Sequence, residues 1–457
     1  MVVSRSQHTA TLLLDGRVLI TGGVTNALGN YRATVLASAE LYDPATGTFV
    51  ATGTMSVARR MHSATLLPDG RVLIAGGYDW FQSIGTAELY DPASGTFSAV
   101  GGMLNGRGGH DAFLLNNGTV LIAGGFDGRY PLIPGAEIYD PETGTFRVVG
   151  PGTGQASCDF CPPSVLLADG KVLVTLQQPA QLFDPVTATF SATGRPNSAE
   201  SAATLLMNGL VLFSGGEDWG RSKSAELYDP ITGTFAVIGD MTQRRVWHTL
   251  TLLPDGTVLT TGGETDECGA NYCYFAGSVA SAELYDPSTR SFAAAGYMTT
   301  SRETHTATLL NDGRVLIAGG VGYGGIGVFF GSTATAELYT PATLVAAPTL
   351  LSIGEESEEG FILHAGSGDA VSTENPAIAG DTLEIRFTGL HGESVIPPRV
   401  TIGGRLTEVV SFMAQPDTSG TSAVVVRMPS GIEPGPAVPV RLSYIGRTSN
   451  RVTVVVR

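Results

Sequence analysis

The chain has 457 residues, 43% hydrophobic and only 15% charged, with 60 glycines and a formal net charge of −16. Such a glycine-rich, charge-poor composition builds many short strands and tight turns in place of helices. The acidic balance excludes a nucleic-acid surface, which needs basic residues against phosphate, and no run of about 18 apolar residues exists to span a membrane.

In chain order, residues 1–30 carry neither the basic nor the apolar region of a secretory leader. Met1-Val-Val-Ser-Arg5-Ser-Gln-His8 aligns instead with Met55-Ser-Val-Ala-Arg59-Arg-Met-His62, so the first residue falls inside a repeat. A hexad of the form Val18-Leu-Ile-Thr-Gly-Gly recurs at Val72, Val120, Val172, Val211, Val258 and Val315. Six copies end in Gly-Gly, and the fourth ends in Leu176-Gln177. The spacing is about 50 residues on average, the period of a propeller blade.

Each repeat reads as four strands. The first is a run such as Ala64-Thr65-Leu66-Leu67. Next comes Asp-Gly or Asn-Gly, as at Asp15-Gly16 and Asn117-Gly118; that dipeptide predicts a two-residue type I′ hairpin with both central residues at positive φ. The hexad is the second strand, and Ala-Glu-Leu-Tyr-Asp-Pro, as at Ala87 to Pro92, is the third. A Thr-Gly-Thr-Phe turn, as at Thr46 to Phe49, leads into the fourth. The seventh repeat reaches Glu337 to Pro341 without that turn. Its fourth strand is expected either from a segment upstream of Met1, together with a secretion signal, or from Leu344-Val-Ala-Ala.

These motifs resemble the Kelch family over residues 1 to about 345, and the count of seven resembles the central domain of galactose oxidase. The fold class is therefore all-β: a seven-bladed Kelch β-propeller over 1–345, followed by a second domain over 346–457. In that second stretch, short alternating runs such as Thr382-Leu-Glu-Ile-Arg-Phe and Arg451-Val-Thr-Val-Val-Val predict an immunoglobulin-like β-sandwich. Ile378-Ala-Gly-Asp-Thr-Leu, Pro397-Pro-Arg-Val-Thr-Ile-Gly-Gly, Met428-Pro-Ser-Gly and Ser449-Asn-Arg-Val-Thr-Val resemble bacterial TIG-type domains, especially those on secreted acidobacterial proteins. That resemblance implies an extracellular or periplasmic location and no catalysis. His364 and His391 of this stretch are read as ordinary loop residues.

Arg-x-x-His precedes the first strand in five repeats, at Arg5/His8, Arg59/His62, Arg107/His110, Arg245/His248 and Arg302/His305. Pseudosymmetry spreads such residues around a ring, too far apart to share one ion, so they serve the repeat and no metal is expected. Glu40, Glu88, Glu137, Glu226, Glu283 and Glu337 recur in the third strand, with Gln181 in the fourth blade. They are expected to accept charge-assisted hydrogen bonds from the repeated Arg or His.

Function is expected where the repeat is decorated. The Arg-x-x-His segment and the loop after Gly-Gly share one face, here called the top. Long loops occur there in blades one (Val24 to Ser38), six (Glu264 to Ser281) and seven (Val321 to Thr335). The candidate ligand-binding set comprises Trp80, Trp219 and Trp247, the acids Asp79 and Asp218, Tyr130, and the repeated Arg59, Arg107, Arg245 and Arg302. Aromatic faces beside carboxylates and guanidinium groups suit a sugar ring, so the expected partner is a glycan or an extracellular protein; loop packing is the other reading of the tryptophans. Cys158/Cys161 and Cys268/Cys273 are expected as two local disulfides in an oxidising compartment. For Cys158-Asp-Phe-Cys161, free thiols and a metal site shared with the second pair are the other readings.

No catalytic residue or cofactor is assigned. The galactose-oxidase resemblance implies a copper held by two Tyr and two His, one Tyr cross-linked to Cys. Arg245-Val-Trp247-His248 resembles the stretch carrying one Tyr-His pair, with Trp247 at the Tyr position; Val57-Ala-Arg-Arg-Met61 resembles that of the cross-linked Tyr, with Met61 in its place. The reading is a secreted binding protein. The rival is an extracellular enzyme on carbohydrates or alcohols, a galactose-oxidase-like oxidoreductase or a polysaccharide lyase.

Overall fold

The computed structural model describes all residues except 27–32, 128–134, 151–162, 176–178, 198–201, 217–221, 269–272, 325–327, 355–356, 391–393, 414–415 and 417–419. Side chains of 267, 268, 273–275, 324 and 328–330 are likewise outside the description. Among the described residues every regular element is a β-strand.

Seven antiparallel sheets follow one another in chain order, the first built from Thr9–Leu12, Val18–Thr21, Ser38–Asp43 and Thr48–Thr54. First strands touch from blade one to blade three and from blade four to blade seven, Ser164 N of blade four donates to Asp111 Oδ2 of blade three at 2.8 Å, and the first strand of blade seven (Thr306–Leu309) touches that of blade one, which closes the ring. The first strands are therefore innermost. Hexads such as Val72–Ala75 are buried along their whole length, because each second strand is sandwiched between neighbouring blades. Third and fourth strands are pinned by a tilted aromatic pair, as in Tyr42–Phe49 at 4.8 Å and Tyr90–Phe97 at 4.9 Å.

Two local expectations are corrected. The Asp-Gly hairpins are not type I′. Gly16 has φ 87°, but Asp15 is not among the residues at positive φ. Gly16 N donates to Leu13 O at 3.0 Å and Leu13 N to Arg17 O at 2.8 Å, so the loop has three residues: a type I turn closed by a left-handed glycine. Aspartate is chosen for its side chain: Asp15 Oδ1 accepts from Arg17 N at 3.0 Å. Secondly, blade seven has three strands, Thr306–Leu309, Val315–Ala318 and Ala336–Tyr339; Leu344 to Ala347 forms none.

Two further sheets form a C-terminal sandwich. One contains Thr382–Thr388 paired with Ser422–Arg427, the other Gly435–Tyr444 paired with Arg399–Ile402 and Val452–Val456. Burial alternates strictly along Thr382–Thr388, and Leu383, Ile385, Phe387, Val400, Val424 and Leu442 meet in one core. The sandwich sits on the face of the Asp-Gly turns, opposite the top. Arg399 Nη2 donates to Leu114 O at 2.7 Å, Val395 N to Met207 O at 2.8 Å, and Thr448 N to Asn311 Oδ1 at 3.1 Å. Arg405 adds an ion pair with Glu142.

Candidate ligand-binding face

The segments that enter the blades are clamped by the repeated arginines. Arg59 Nη2 lies 2.9 Å from Glu88 Oε1, and the same pair recurs as Arg5–Glu40 (2.6 Å), Arg107–Glu137 (2.9 Å), Arg245–Glu283 (2.7 Å) and Arg302–Glu337 (2.6 Å). Each Arg Nη1 also donates to the carbonyl of the first glycine of its own blade's Gly-Gly. All five guanidinium groups are closed to solvent. Arg59, Arg107, Arg245 and Arg302 were expected to touch ligand; they are instead closed inside the blade, with Nη1 and Nη2 held by its carbonyls and glutamate.

The histidines take different partners from the arginines. Each Nε2 meets a hydroxyl of the preceding blade: His8 with Thr306 (3.1 Å), His62 with Thr21 (2.9 Å), His110 with Ser63 (2.9 Å), His248 with Ser214 (2.9 Å) and His305 with Thr261 (3.0 Å). The first glycine of the preceding blade's Gly-Gly makes room for each of these five contacts, at Gly319, Gly22, Gly76, Gly215 and Gly262. A Cβ on Gly76 would stand 2.5 Å from Arg107 O and 2.7 Å from His110 Cε1. Burial, with the neighbouring arginine adding to it, pushes His8, His110, His248 and His305 down to about 3.

Between Arg and His lie two residues that differ from blade to blade. The third position is left-handed in all five copies: Gln7 (φ 54°), Met61 (52°), Gly109 (65°), Trp247 (56°) and Thr304 (50°). Left-handed φ is costly for a side-chain-bearing residue, and it persists where the surroundings enforce it. Here a backbone relay enforces it, running from blade to blade. Gly109 N donates to Met61 O (2.8 Å), Met61 N to Gln7 O (3.0 Å), Gln7 N to Thr304 O (3.1 Å) and Thr304 N to Trp247 O (3.4 Å). Gln7, Met61, Trp247 and Thr304 are partly exposed, while the flanking Arg and His are buried. These residues form the rim of the top face.

The rim is asymmetric. On blade two, Arg60 Nη1 donates to Gln7 Oε1 at 2.8 Å, and its guanidinium lies 5.8 Å from the Tyr78 ring and 5.3 Å from the Trp80 ring. Trp80 is 44% exposed. Blades six and seven carry a raised sheet, in which Glu264–Cys268 and Cys273–Ser278 join Val321–Gly324 and Val328–Ser332 through Gly277 and Gly324. Asn26 N of blade one donates to Ser332 Oγ at 2.7 Å, so the three long loops make one wall. At its foot Glu264, Asp266 and Glu303 are all buried. Burial pushes Tyr323 up, with Glu303 and Glu264 adding to the effect.

Of the expected ligand-binding residues, Trp80 and Trp247 reach the rim, on different blades. Asp79 caps its own loop, accepting from Phe81 N at 2.6 Å and Gln82 N at 2.7 Å. Trp219, Asp218, Tyr130, Cys158, Cys161 and His391 lie outside the described residues, as do the side chains of Cys268 and Cys273. The backbone register places Cys268 directly opposite Cys273 across the blade-six hairpin. Arg60, Gln7, Thr304 and Glu303 were missed as candidates. Their sequence signal was variation at x-x between fixed Arg and His.

Comparison with known proteins places this geometry. Residues 114–153 match the Kelch motif family. A stretch of 75 residues is 39% identical to galactose oxidase of Gibberella zeae, in two curated sequences. That stretch is 16% of this chain and 11% of each relative's length. A solved fungal alcohol oxidase of the AA5 family, in complex with copper, superposes with a TM-score of 0.61 at 16% identity, covering 99% of this chain and 98% of that one. The chain is thus a Kelch propeller with a galactose-oxidase-like fold.

A copper of that kind does not fit the residues present. Indole offers a donor N–H and no metal-binding lone pair, so Trp247 cannot replace a tyrosine ligand. Met61 brings a thioether that forms no tyrosyl radical. His248 is buried with Nε2 against Ser214, in a contact repeated in four other blades.

Proposed function

We propose that the protein is an extracellular binding protein whose rim holds a carbohydrate or a similar polyhydroxyl ligand, without copper-radical chemistry. The observation that carries this reading is the Arg60–Trp80 pad beside Gln7. A half-exposed indole offers a face to sugar C–H groups, while guanidinium and amide take hydroxyls. In the same reading residues 1–345 are the binding propeller and 346–457 a TIG-type bacterial module. The two Cys pairs are local disulfides suited to an oxidising compartment. No helix is long and apolar enough to cross a membrane.

The rival reading is an oxidase acting on alcohols or carbohydrates. It draws on the whole-chain likeness to the copper-bound alcohol oxidase and on the galactose-oxidase segment, and the names of these relatives favour it over simple binding. The rim residues favour binding, because Met61 and Trp247 stand at the positions that the radical chemistry requires to be tyrosine. One experiment separates the two: glycan-array binding in chelator, alongside peroxide release from galactose and primary alcohols after copper loading. Binding without copper, weakened about tenfold or more by Trp80→Ala or Arg60→Ala, supports the proposal. Copper-dependent peroxide release overturns it.

A further inference from the structure

On the opposite side from the rim, the propeller axis opens into a cavity of ≈ 680 Å³. First strands of all seven blades form its wall, and the C-terminal sandwich forms its floor. A protein carrying a net charge of −16 would be expected to line such a space with acids or apolar groups. The described lining contains no Asp or Glu, and its two charged residues are Arg399 and Arg441, both from the floor. Thr11, Thr251, Thr308 and Ser443 add hydroxyls among alanines and leucines.

Arg399 is the unusual group. It is enclosed by protein, yet part of its surface is bared to the cavity. Its hydrogen bond among the described residues is Nη2 to Leu114 O at 2.7 Å, whereas a guanidinium carries five N–H donors. The arginines of the blade junctions each have a glutamate within 3 Å; among the described residues no carboxylate pairs with Arg399. Burial alone lowers it, to about 10, so it remains cationic at neutral pH. An enclosed cation without a counter-ion is costly, and an anion delivered to its open fork removes that cost.

We propose that this axial cavity binds a small polyhydroxy carboxylate, its carboxylate on the Arg399 fork and its hydroxyls on the threonine wall. Arg441 on the same floor adds positive potential. The site is separate from the rim and does not depend on what the rim binds.

The test is isothermal titration of the full chain at low salt with sodium D-gluconate, and with D-sorbitol as the uncharged polyol of the same length. Gluconate is expected to bind saturably with Kd below about 1 mM, and sorbitol at least tenfold more weakly. Arg399→Gln is expected to lower gluconate affinity tenfold or more, and Arg441→Gln to lower it less. Arg60→Ala at the rim is expected to leave it unchanged. No saturable gluconate heat in the native chain overturns the proposal, and this arm does not depend on any variant folding. Equal affinity for sorbitol, undiminished binding in a folded Arg399→Gln protein, or loss of binding in Arg60→Ala overturns it as well.

Discussion

Arg59 and Glu88 sit 2.9 Å apart with both side chains closed to solvent. In such a place the pair matters less than the consequence of breaking it. Glu88→Gln leaves a buried guanidinium without its carboxylate, and should cost about 3–5 kcal/mol in urea unfolding. Replacing Arg59 by Leu as well should cost less than Glu88→Gln alone. The chain contains its own precedent. The segment entering blade four lacks the arginine, and Gln181 stands where the other blades carry Glu. Blade five also lacks the arginine but keeps Glu226, which accepts from Asn197 N at 3.2 Å and Asn197 Nδ2 at 2.6 Å.

The histidines set the pH response. His8, His110, His248 and His305 are lowered to about 3 in the fold, against an ordinary 6.5, and His62 is lowered in the same direction. Between these values the unfolded chain binds more protons than the folded one, so stability is complete above about 6.5 and falls as pH drops toward 3. Asp111 works against this. Burial raises it to about 6, so the folded state holds its proton between 3.8 and 6. Five imidazoles outweigh one carboxyl, and the melting temperature should fall steadily from pH 6.5 to pH 4. A flat profile over that range would contradict the buried, neutral assignment.

At the scale of the element, the Gly-Gly step joins one blade to the next. Gly76 has φ +66°, and a Cβ there would press on Arg107 O and His110 of the following blade. Arg107 O is backbone and the buried His110 ring is tied to Ser63, so neither gives way easily and Gly76→Ala should destabilise by about 1–3 kcal/mol. Gly47 has φ +69° but meets nothing within 4 Å of a built Cβ, so Gly47→Ala should cost about 1 kcal/mol, from the left-handed conformation alone. Thermal unfolding of the two variants distinguishes crowding from conformational cost. The rim belongs to this scale too: the backbone relay through Gln7, Met61, Gly109, Trp247 and Thr304 holds the variable residues in one left-handed conformation while their side chains differ.

At the scale of the whole molecule, the ring was legible because a hexad repeated seven times names its own strands. The sandwich was legible from strict alternation, as along Thr382–Thr388. The turn type was not, since Asp-Gly suits both a two-residue and a three-residue loop, and the Asp15–Arg17 contact that decides it is a side-chain event. The site was harder for a related reason. A repeat makes Arg59, Arg107, Arg245 and Arg302 conspicuous, and those are the residues that the fold buries. Arg60 and Gln7 lie 53 residues apart on neighbouring blades and meet only because blade two packs against blade one. Likewise nothing local in Pro397-Pro-Arg399 predicts a cavity, because its wall comes from blades far away in sequence. Ligand binding at the rim is the property on which the function rests. The measurement is glycan-array binding by the copper-free native chain, in parallel with its Arg60→Ala variant. Glycan hits in chelator that Arg60→Ala loses are the expected result. Their absence from the native chain, or hits unchanged in the variant, would contradict it.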